Sequence, residues 1–237
     1  MLDFGYYNMD CMEGMKQFPD KYFDLAIVDP PYFSGPEKRG FYGKKESPIG
    51  VQRIYEKTDE WDVPRKEYFE ELARVSKNQI IWGCNYYNYQ FGSGRIVWDK
   101  VNGASSFSDC ELAYCSLHDS TRLFRYMWNG MMQGKSLLEG EIQQGNKKLN
   151  EIRIHPTQKP VLLYKWLLMQ YAKSDDKILD THVGSASSLI ACHDMGFQSV
   201  GFEKDKSMFK RSNGRLENHM SQICMNELLK IEEKGVE

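Results

Sequence analysis

An α/β domain with a mostly parallel sheet, helices on both faces and a small inserted segment is predicted by three observations. Phe23-Asp24-Leu25-Ala26-Ile27-Val28 is an apolar run that stops at Asp29-Pro30-Pro31-Tyr32, as a strand buried on both faces and ending in a loop would. Lys177-Ile178-Leu179-Asp180, a glycine-bearing turn, a helical stretch closed by Gly196, and Ser199-Val200-Gly201-Phe202-Glu203 form a compact βαβ unit. The 237 residues, 41% hydrophobic, 27% charged and 13% aromatic, suit one large domain with a sizeable core and lie far from the composition of disordered chains.

The remaining elements follow in order. From Phe33 to Gly50 the chain carries Gly35, Gly40, Gly43, Gly50, Pro36 and Pro48, which predicts a long loop of the kind retained for function. Asp62 and Pro64 open a helix with the stripe Tyr68, Phe69, Leu72 and Val75, and Asn78–Trp82 is the next strand. Arg95–Trp98 and Glu111–Ser116 read as two further strands, antiparallel neighbours. Periodicity fades over 117–153, where Gly130, Gly134, Gly140 and Gly145 punctuate polar sequence; this is the expected insertion within a single domain spanning 1–237. Pro160 sits near the first turn of a helix running to about Lys173, where its fixed φ and missing N–H cost little. From Asp205 onward one helical pattern (Met208, Leu216, Ile223, Leu228, Ile231) should pack on the sheet and fray after Glu232.

Composition excludes several classes. The apolar run Val161–Leu168 is interrupted by Lys165, and no stretch reaches the 18 or so apolar residues of a membrane span. Met1-Leu2-Asp3-Phe4 lacks the basic region and apolar core of a secretion signal, so a cytoplasmic protein is expected. The six cysteines contain no C-x-x-C pair and several lie in apolar runs, which argues against a disulfide framework or a metal site. With 31 basic and 33 acidic residues the net charge is −2, so affinity for a polyanion has to come from local clusters. Two are net positive: Lys38, Arg39, Lys44, Lys45 and Arg53 against Glu37 and Glu46, and Arg122, Arg125, Lys135, Lys147, Lys148 and Arg153 against Glu139, Glu141 and Glu151.

Two constellations carry chemistry. Asp180, the turn Thr181–Ser187 and Glu203 present bare backbone N–H groups and a carboxylate at about the ~20-residue spacing that suits the ribose of a nucleoside cofactor. G-x-G-x-x-G is absent, and an acid ending the first strand suits a cationic group better than a pyrophosphate, which favours an amino-acid-bearing nucleoside over a dinucleotide. Asp29, Pro30, Pro31 and Tyr32 place a carboxylate, a rigid turn lacking two N–H donors and an aromatic face at the end of a strand. Such a cup fits a planar ring with an exocyclic amine: the carboxylate and the Pro30 carbonyl accept its two protons while Tyr32 stacks on the ring.

Together, Asp29-Pro30-Pro31-Tyr32 and the later Asp180-Thr181-His182-Val183-Gly184-Ser185 resemble the β-class DNA amino-methyltransferases, in which the catalytic motif precedes the cofactor motif. Asn8-Met9-Asp10-Cys11, Arg95-Ile96-Val97-Trp98-Asp99-Lys100 and His155-Pro156-Thr157-Gln158-Lys159-Pro160 extend the resemblance over about residues 6–210. It implies a Rossmann-like methyltransferase sheet, S-adenosylmethionine as methyl donor and double-stranded DNA as substrate. By position, Asp180 would face the methionine ammonium, Gly184 and Ser185 line the methionine, Glu203 hold the ribose, Asp10 meet the adenine amine, and Lys159 border the same pocket. Where the family usually has Asp-Pro-Phe and Gly-x-Gly, this chain has Asp180-Thr181-His182 and Gly184-Ser185-Ala186.

The resulting expectation is a site-specific N6-adenine methyltransferase with Asp29, Pro30, Pro31 and Tyr32 as the catalytic set. N4-cytosine is the nearest alternative, since both bases present the same NH2 geometry. A nucleotide-dependent oxidoreductase would leave Asp29–Tyr32 without a role, and a noncatalytic DNA-binding relative is the third reading. The target base must be flipped from the duplex, with residues 33–50 as a lid, and Trp98 and Phe107 either line the pocket or belong to the core. Target recognition is assigned to 117–153. The resemblance is compatible with a homodimer and with a partner restriction enzyme.

Overall fold

The computed structural model describes residues 1–33, 62–103, 108–129 and 132–234. The expectations placed on residues 34–50, on Phe107, on Gly130 and on the cluster of Lys38, Arg39, Lys44, Lys45 and Arg53 lie outside them. In chain order the strands are β1 (Gly5–Tyr7), β2 (Phe23–Val28), β3 (Ser76–Trp82), β4 (Arg95–Asp99), β5 (Cys110–Cys115), β6 (Thr121–Arg125), β7 (Trp128–Asn129), β8 (Met132–Gln133), β9 (Lys177–Asp180) and β10 (Gln198–Phe202). The helices are α1 (Cys11–Met15), α2 (Lys66–Val75), α3 (Val161–Tyr171), α4 (Ser187–Asp194) and α5 (Lys206–Lys234). No helix among the described residues is long and apolar enough to cross a membrane.

Eight strands form one sheet in the order β1-β10-β9-β2-β3-β5-β4-β6, and β7 and β8 form a separate small hairpin. The first five positions are parallel, as the apolar run of β2 and the βαβ unit predict for their strands, and β5 runs antiparallel to both β3 and β4. Side chains alternate between two cores. Leu25, Ile27, Ile80, Trp82 and Ile178 pack on α3 and α4 through Leu163, Leu167 and Ala191. Ala26, Val28, Ile81 and Leu179 pack on α1 and α2 through Met15, Tyr68, Phe69 and Leu72. The period of two is thus spent on two buried faces.

Three elements depart from the sequence reading. β1 and α1 were not anticipated, because three and five residues are too short to show a period. α2 begins at Lys66 and not at Asp62, and it runs directly into β3, with the Ser76 hydroxyl bonded to the Leu72 carbonyl across the junction. Trp98, for which pocket lining and core packing both stood open, is a core residue: it is fully buried, edge-on to Trp82, and donates its indole N–H to the Tyr126 carbonyl.

Within 117–153, residues 121–125 form the edge strand β6, parallel to β4, so the chain outside the sheet begins after Arg125. Phe124 is buried against Trp166 of α3, with ring centroids 4.9 Å apart, and Tyr126 and Trp128 continue the same core. Phe124→Ala should therefore lower the stability of the whole domain by about 3–5 kcal/mol within a single cooperative transition. A separate low-temperature transition that leaves the main one unmoved in calorimetry would show that this segment folds apart from the sheet.

Candidate active site

The site follows from where the chain changes direction. From β9 it winds through α4 to β10 on one side, and from β2 through α2 to β3 on the other, so the crevice beyond the carboxyl ends of β2 and β9 is a topological switch point. The register Ala26↔Leu179 brings Asp29, just after β2, and Asp180, the last residue of β9, to the same edge.

Asp29 sits in a dense polar cluster. One carboxylate oxygen accepts the Tyr32 hydroxyl at 2.6 Å and the other the Lys159 ammonium at 2.5 Å. Lys159, only 5% exposed, also bonds the Tyr32 hydroxyl at 2.9 Å and the Glu111 carboxylate at 2.9 Å. Glu111 in turn pairs with Lys100. Burial pushes the Asp29 carboxyl above its ordinary range, although Lys159 pulls the other way. Burial also opposes charge on Lys159, but Asp29 and Glu111 outweigh it and hold the ammonium above the usual lysine value. Glu111 is buried too, yet Lys159 and Lys100 bring it down to about 2.

Aromatic rings frame this cluster. Tyr32 stacks on Tyr86, centroids 5.0 Å apart at 12°, and meets Tyr87 edge-on. The Tyr87 hydroxyl donates to the Pro30 carbonyl at 2.6 Å. Gly83, at φ +71, lets the chain pass beside Tyr32: a β-carbon there would lie 2.1 Å from the ring.

Across the crevice, Asp180 is buried and accepts the Ser188 hydroxyl at 2.5 Å and the His182 amide at 3.0 Å. No ion pair to it is recorded among the described residues, and burial pushes its carboxyl up to about 7. Glu203 accepts the Gly184 amide at 3.0 Å and the Asp205 amide at 2.9 Å, and burial raises it likewise to about 7. Ser185 gives its hydroxyl to a contact with Ser187 and its carbonyl to Arg215 of α5. Arg215 also pairs with Glu151, which caps the first amide of α3 at Val161. Asp10 caps α1 by accepting the Met12 amide at 2.8 Å and lies 3.4 Å from Lys204.

The structure thus gathers Asp29, Pro30, Tyr32 and Lys159 into one cluster and Asp180, Gly184, Ser185 and Glu203 around one turn, with Asp10 at the α1 terminus. Pro31 forms the turn between them. Lys159, placed by sequence beside the cofactor segments, bonds the Asp29 carboxylate instead. Sequence reading missed Glu111, Lys100, Tyr86 and Tyr87. The run Asn85-Tyr86-Tyr87-Asn88-Tyr89 after β3 was a usable signal, aromatic side chains just beyond the carboxyl end of a strand; Glu111 offered none.

Residues 97–213 match the family model described as DNA methylase, of the N6/N4 type. That match, with the relatives and solved structures that follow, supports a DNA amino-methyltransferase. It is 23% identical over 259 residues to the Type II methyltransferase M.HinfI of Haemophilus influenzae, covering 95% of this chain and 71% of that protein. It is also 23% identical over 260 residues to M2.MboI of Moraxella bovis, covering 95% and 91%. Among solved structures it is similar to the PvuII DNA methyltransferase (cytosine-N4-specific), with a TM-score of 0.54 at 14% identity over 93% of this chain and 91% of that one. The M1.HpyAVI–SAM complex is similar at a TM-score of 0.51 and 17% identity, over 89% and 98%. The fold of this methyltransferase is accordingly the mixed, mostly parallel Rossmann-like sheet.

The raised Asp180 carboxyl has a measurable consequence. The folded state binds more protons than the unfolded state between about 4 and 7, so Asp180 adds stability below that window and loses it as pH rises through about 7. Asp180→Asn should therefore melt progressively higher relative to the parent protein as pH is raised from about 5 to 8. A difference in melting temperature that stays constant with pH would contradict the burial of this charge.

Proposed function

We propose that this DNA methyltransferase transfers a methyl group from S-adenosylmethionine to the N6 amine of adenine at a specific site in double-stranded DNA. The observation that carries the reading is the meeting, at one switch-point crevice, of the Asp29-Pro30-Pro31-Tyr32 cup and the carboxylates Asp180 and Glu203. N4-cytosine presents the same NH2 group and is separated from adenine by experiment.

The residues present fit the cofactor. Asp180 is a buried carboxylate with two neutral donors and a raised pKa, the state expected of an acid whose cationic partner is a ligand. Glu203 is held by two backbone amides, one to each oxygen, which orients the carboxylate that would hold the ribose hydroxyls. Gly184 and Ser185 would line the methionine part and Asp10 the adenine edge. When bound, S-adenosylmethionine supplies an electrophilic methyl group on a sulfonium.

The chain's own residues prepare the amine. An exocyclic amine conjugated to its ring is a poor nucleophile until its nitrogen pyramidalises, and acceptors on both protons favour that change. The Asp29 carboxylate, oriented by Lys159, takes one proton; the Pro30 carbonyl, held by Tyr87, keeps a lone pair for the other. Tyr32, backed by Tyr86, offers the stacking surface for a flipped base. Both donors have to be displaced or shared when the base arrives, so the hydrogen-bonded cup is a resting arrangement that leaves no buried acceptor unpaired.

Recognition we assign to 117–153, and within it to the part beyond Arg125. Lys147 and Lys148 are exposed there. Arg125 is tied to Asp99 and Glu141, and Lys135 to Glu139. Arg153 lies over the Trp128 ring at 4.1 Å. The exposed lysines suit phosphate contacts, which position the protein without reading sequence.

Nucleoside mass spectrometry of DNA from cells expressing the protein should find N6-methyladenine; N4-methylcytosine instead would move the assignment to cytosine, and neither would overturn it. Asp29→Ala should lower single-turnover methyl transfer by about 10²-fold or more while the protein still folds and its cofactor affinity stays near the parent value. Near-parent turnover would refute the role of Asp29. Glu203→Ala should weaken S-adenosylmethionine binding by roughly 1.5–3 kcal/mol, read by titration calorimetry, and unchanged affinity would remove the ribose assignment.

A further inference from the structure

We propose that Glu111, held in place by Lys100, is a positioning residue that divides the Lys159 ammonium between two carboxylates and so keeps Asp29 a strong acceptor for the target amine. The inference rests on the methyl-transfer reading and concerns the strength of its acceptor.

The four groups form an alternating chain from the crevice outward. Asp29 lies 2.5 Å from Lys159, Lys159 lies 2.9 Å from Glu111, and Glu111 meets Lys100 through its other oxygen. The Lys159 side chain is 4% exposed, Lys100 16%, Glu111 20% and Asp29 21%, so water screens these charges little. Lys159 alone against Asp29 would be a closed ion pair, in which the ammonium occupies the lone pairs and drains the charge that an incoming N–H has to find. Glu111 competes for that ammonium from the opposite side. Burial raises Asp29 and the neighbouring Glu111 charge raises it further, so Glu111 works against the pull of Lys159 and keeps Asp29 basic. Lys100 limits the effect by neutralising part of Glu111. Its ammonium also lies 5.2 Å from the Trp98 ring, which fixes its approach.

Other neighbours of Asp29 do not supply this balance. Tyr32 donates to it as a neutral hydroxyl, and burial holds that phenol well above its ordinary pKa. Tyr87, Tyr68 and Tyr164, facing the same region from the β3–β4 segment, α2 and α3, are likewise pushed up by burial and stay neutral. Asp180 at the end of β9 is the remaining carboxylate acting on Asp29, and it acts in the same direction as Glu111 without touching Lys159. Glu111 is therefore the group through which the Asp29–Lys159 pair is tuned.

The test is the pH dependence of single-turnover methyl transfer for the full-length protein with saturating S-adenosylmethionine and DNA. Glu111→Gln removes the competitor and an adjacent negative charge. The acid limb of the profile should move to lower pH, with a plateau rate about tenfold or more below the parent, while the KM for S-adenosylmethionine changes little. Lys100→Gln, at the outer end, frees Glu111 to draw harder on Lys159, and the acid limb should move to higher pH. Opposite displacements in the two variants support the proposal. Acid limbs that coincide with the parent in both, or move the same way in both, overturn it, because a packing defect lowers the rate without displacing the limb in opposite directions. If Glu111→Gln does not fold, the direction of the Lys100→Gln limb alone decides. Asp29→Ala is assayed alongside: if it retains near-parent turnover the methyl-transfer reading itself has failed, whereas an inactive Asp29→Ala with unmoved limbs removes only the role of Glu111.

Discussion

The pairing of β2 with β9 is the constraint on which the rest of the site depends. Parallel strands need long crossovers, and here the two crossovers wind to opposite sides, leaving a crevice above these two carboxyl ends. Asp29 and Asp180 are more than a hundred residues apart in sequence, yet the β2–β9 register brings them to one crevice.

That concentration of carboxylates has a cost which the surrounding elements offset in two ways. On the β2 side the offset is ionic: a buried ammonium on the segment before α3 reaches Asp29 and Glu111 together, and Lys100 neutralises the excess. Buried ion chains of this kind contribute little net stability, because desolvation consumes most of the attraction, but breaking one partner leaves a charge stranded. On the β9 side the offset is dipolar. Asp180 and Glu203 receive backbone amides and a serine hydroxyl in place of a cation, and these only partly offset burial, which raises both carboxyls to about 7. One half of the crevice is thus satisfied internally, and the other is left with charge that a cationic ligand can complete.

The sequence foretold strands with long apolar runs and motifs confined to a few adjacent residues. β2 is such a strand, and Asp29–Tyr32 is such a motif, because a tight turn after a buried strand needs local residue types. What it did not show are contacts made by single residues of ordinary kind. Glu111 stands at the start of an antiparallel strand where an acid is unremarkable, and only the β3-β5-β4 order carries it to Lys159. β6 was hidden for a related reason: as an edge strand it buries Phe124 but exposes Thr121, Arg122, Leu123 and Arg125, so it shows neither alternation nor a continuous apolar run. Asp10 illustrates a third limit, since a helix cap and a ligand contact call for the same side chain and sequence cannot tell them apart.

The departures from the family motif in the cofactor turn are accommodated by local structure. Ala186, standing where the family usually has its second glycine, adopts the left-handed conformation at φ 64 and ψ 19, so the backbone shape is kept at a local strain of about 1–2 kcal/mol. Thr181 and His182 replace an apolar pair with polar groups, and these close on each other: the Thr181 hydroxyl lies 2.6 Å from the Tyr68 hydroxyl and 2.9 Å from the His182 ring. Burial lowers the imidazole to about 4, so it is neutral near pH 7 and adds no positive charge beside a crevice that has to receive a cation. Cys11, 4.0 Å from the same ring, is pushed up to about 12 by burial and by Asp10, and stays a thiol. The substitutions therefore change the hydrogen-bonding surface of the crevice while leaving its charge, which the carboxylates set, as the motif requires.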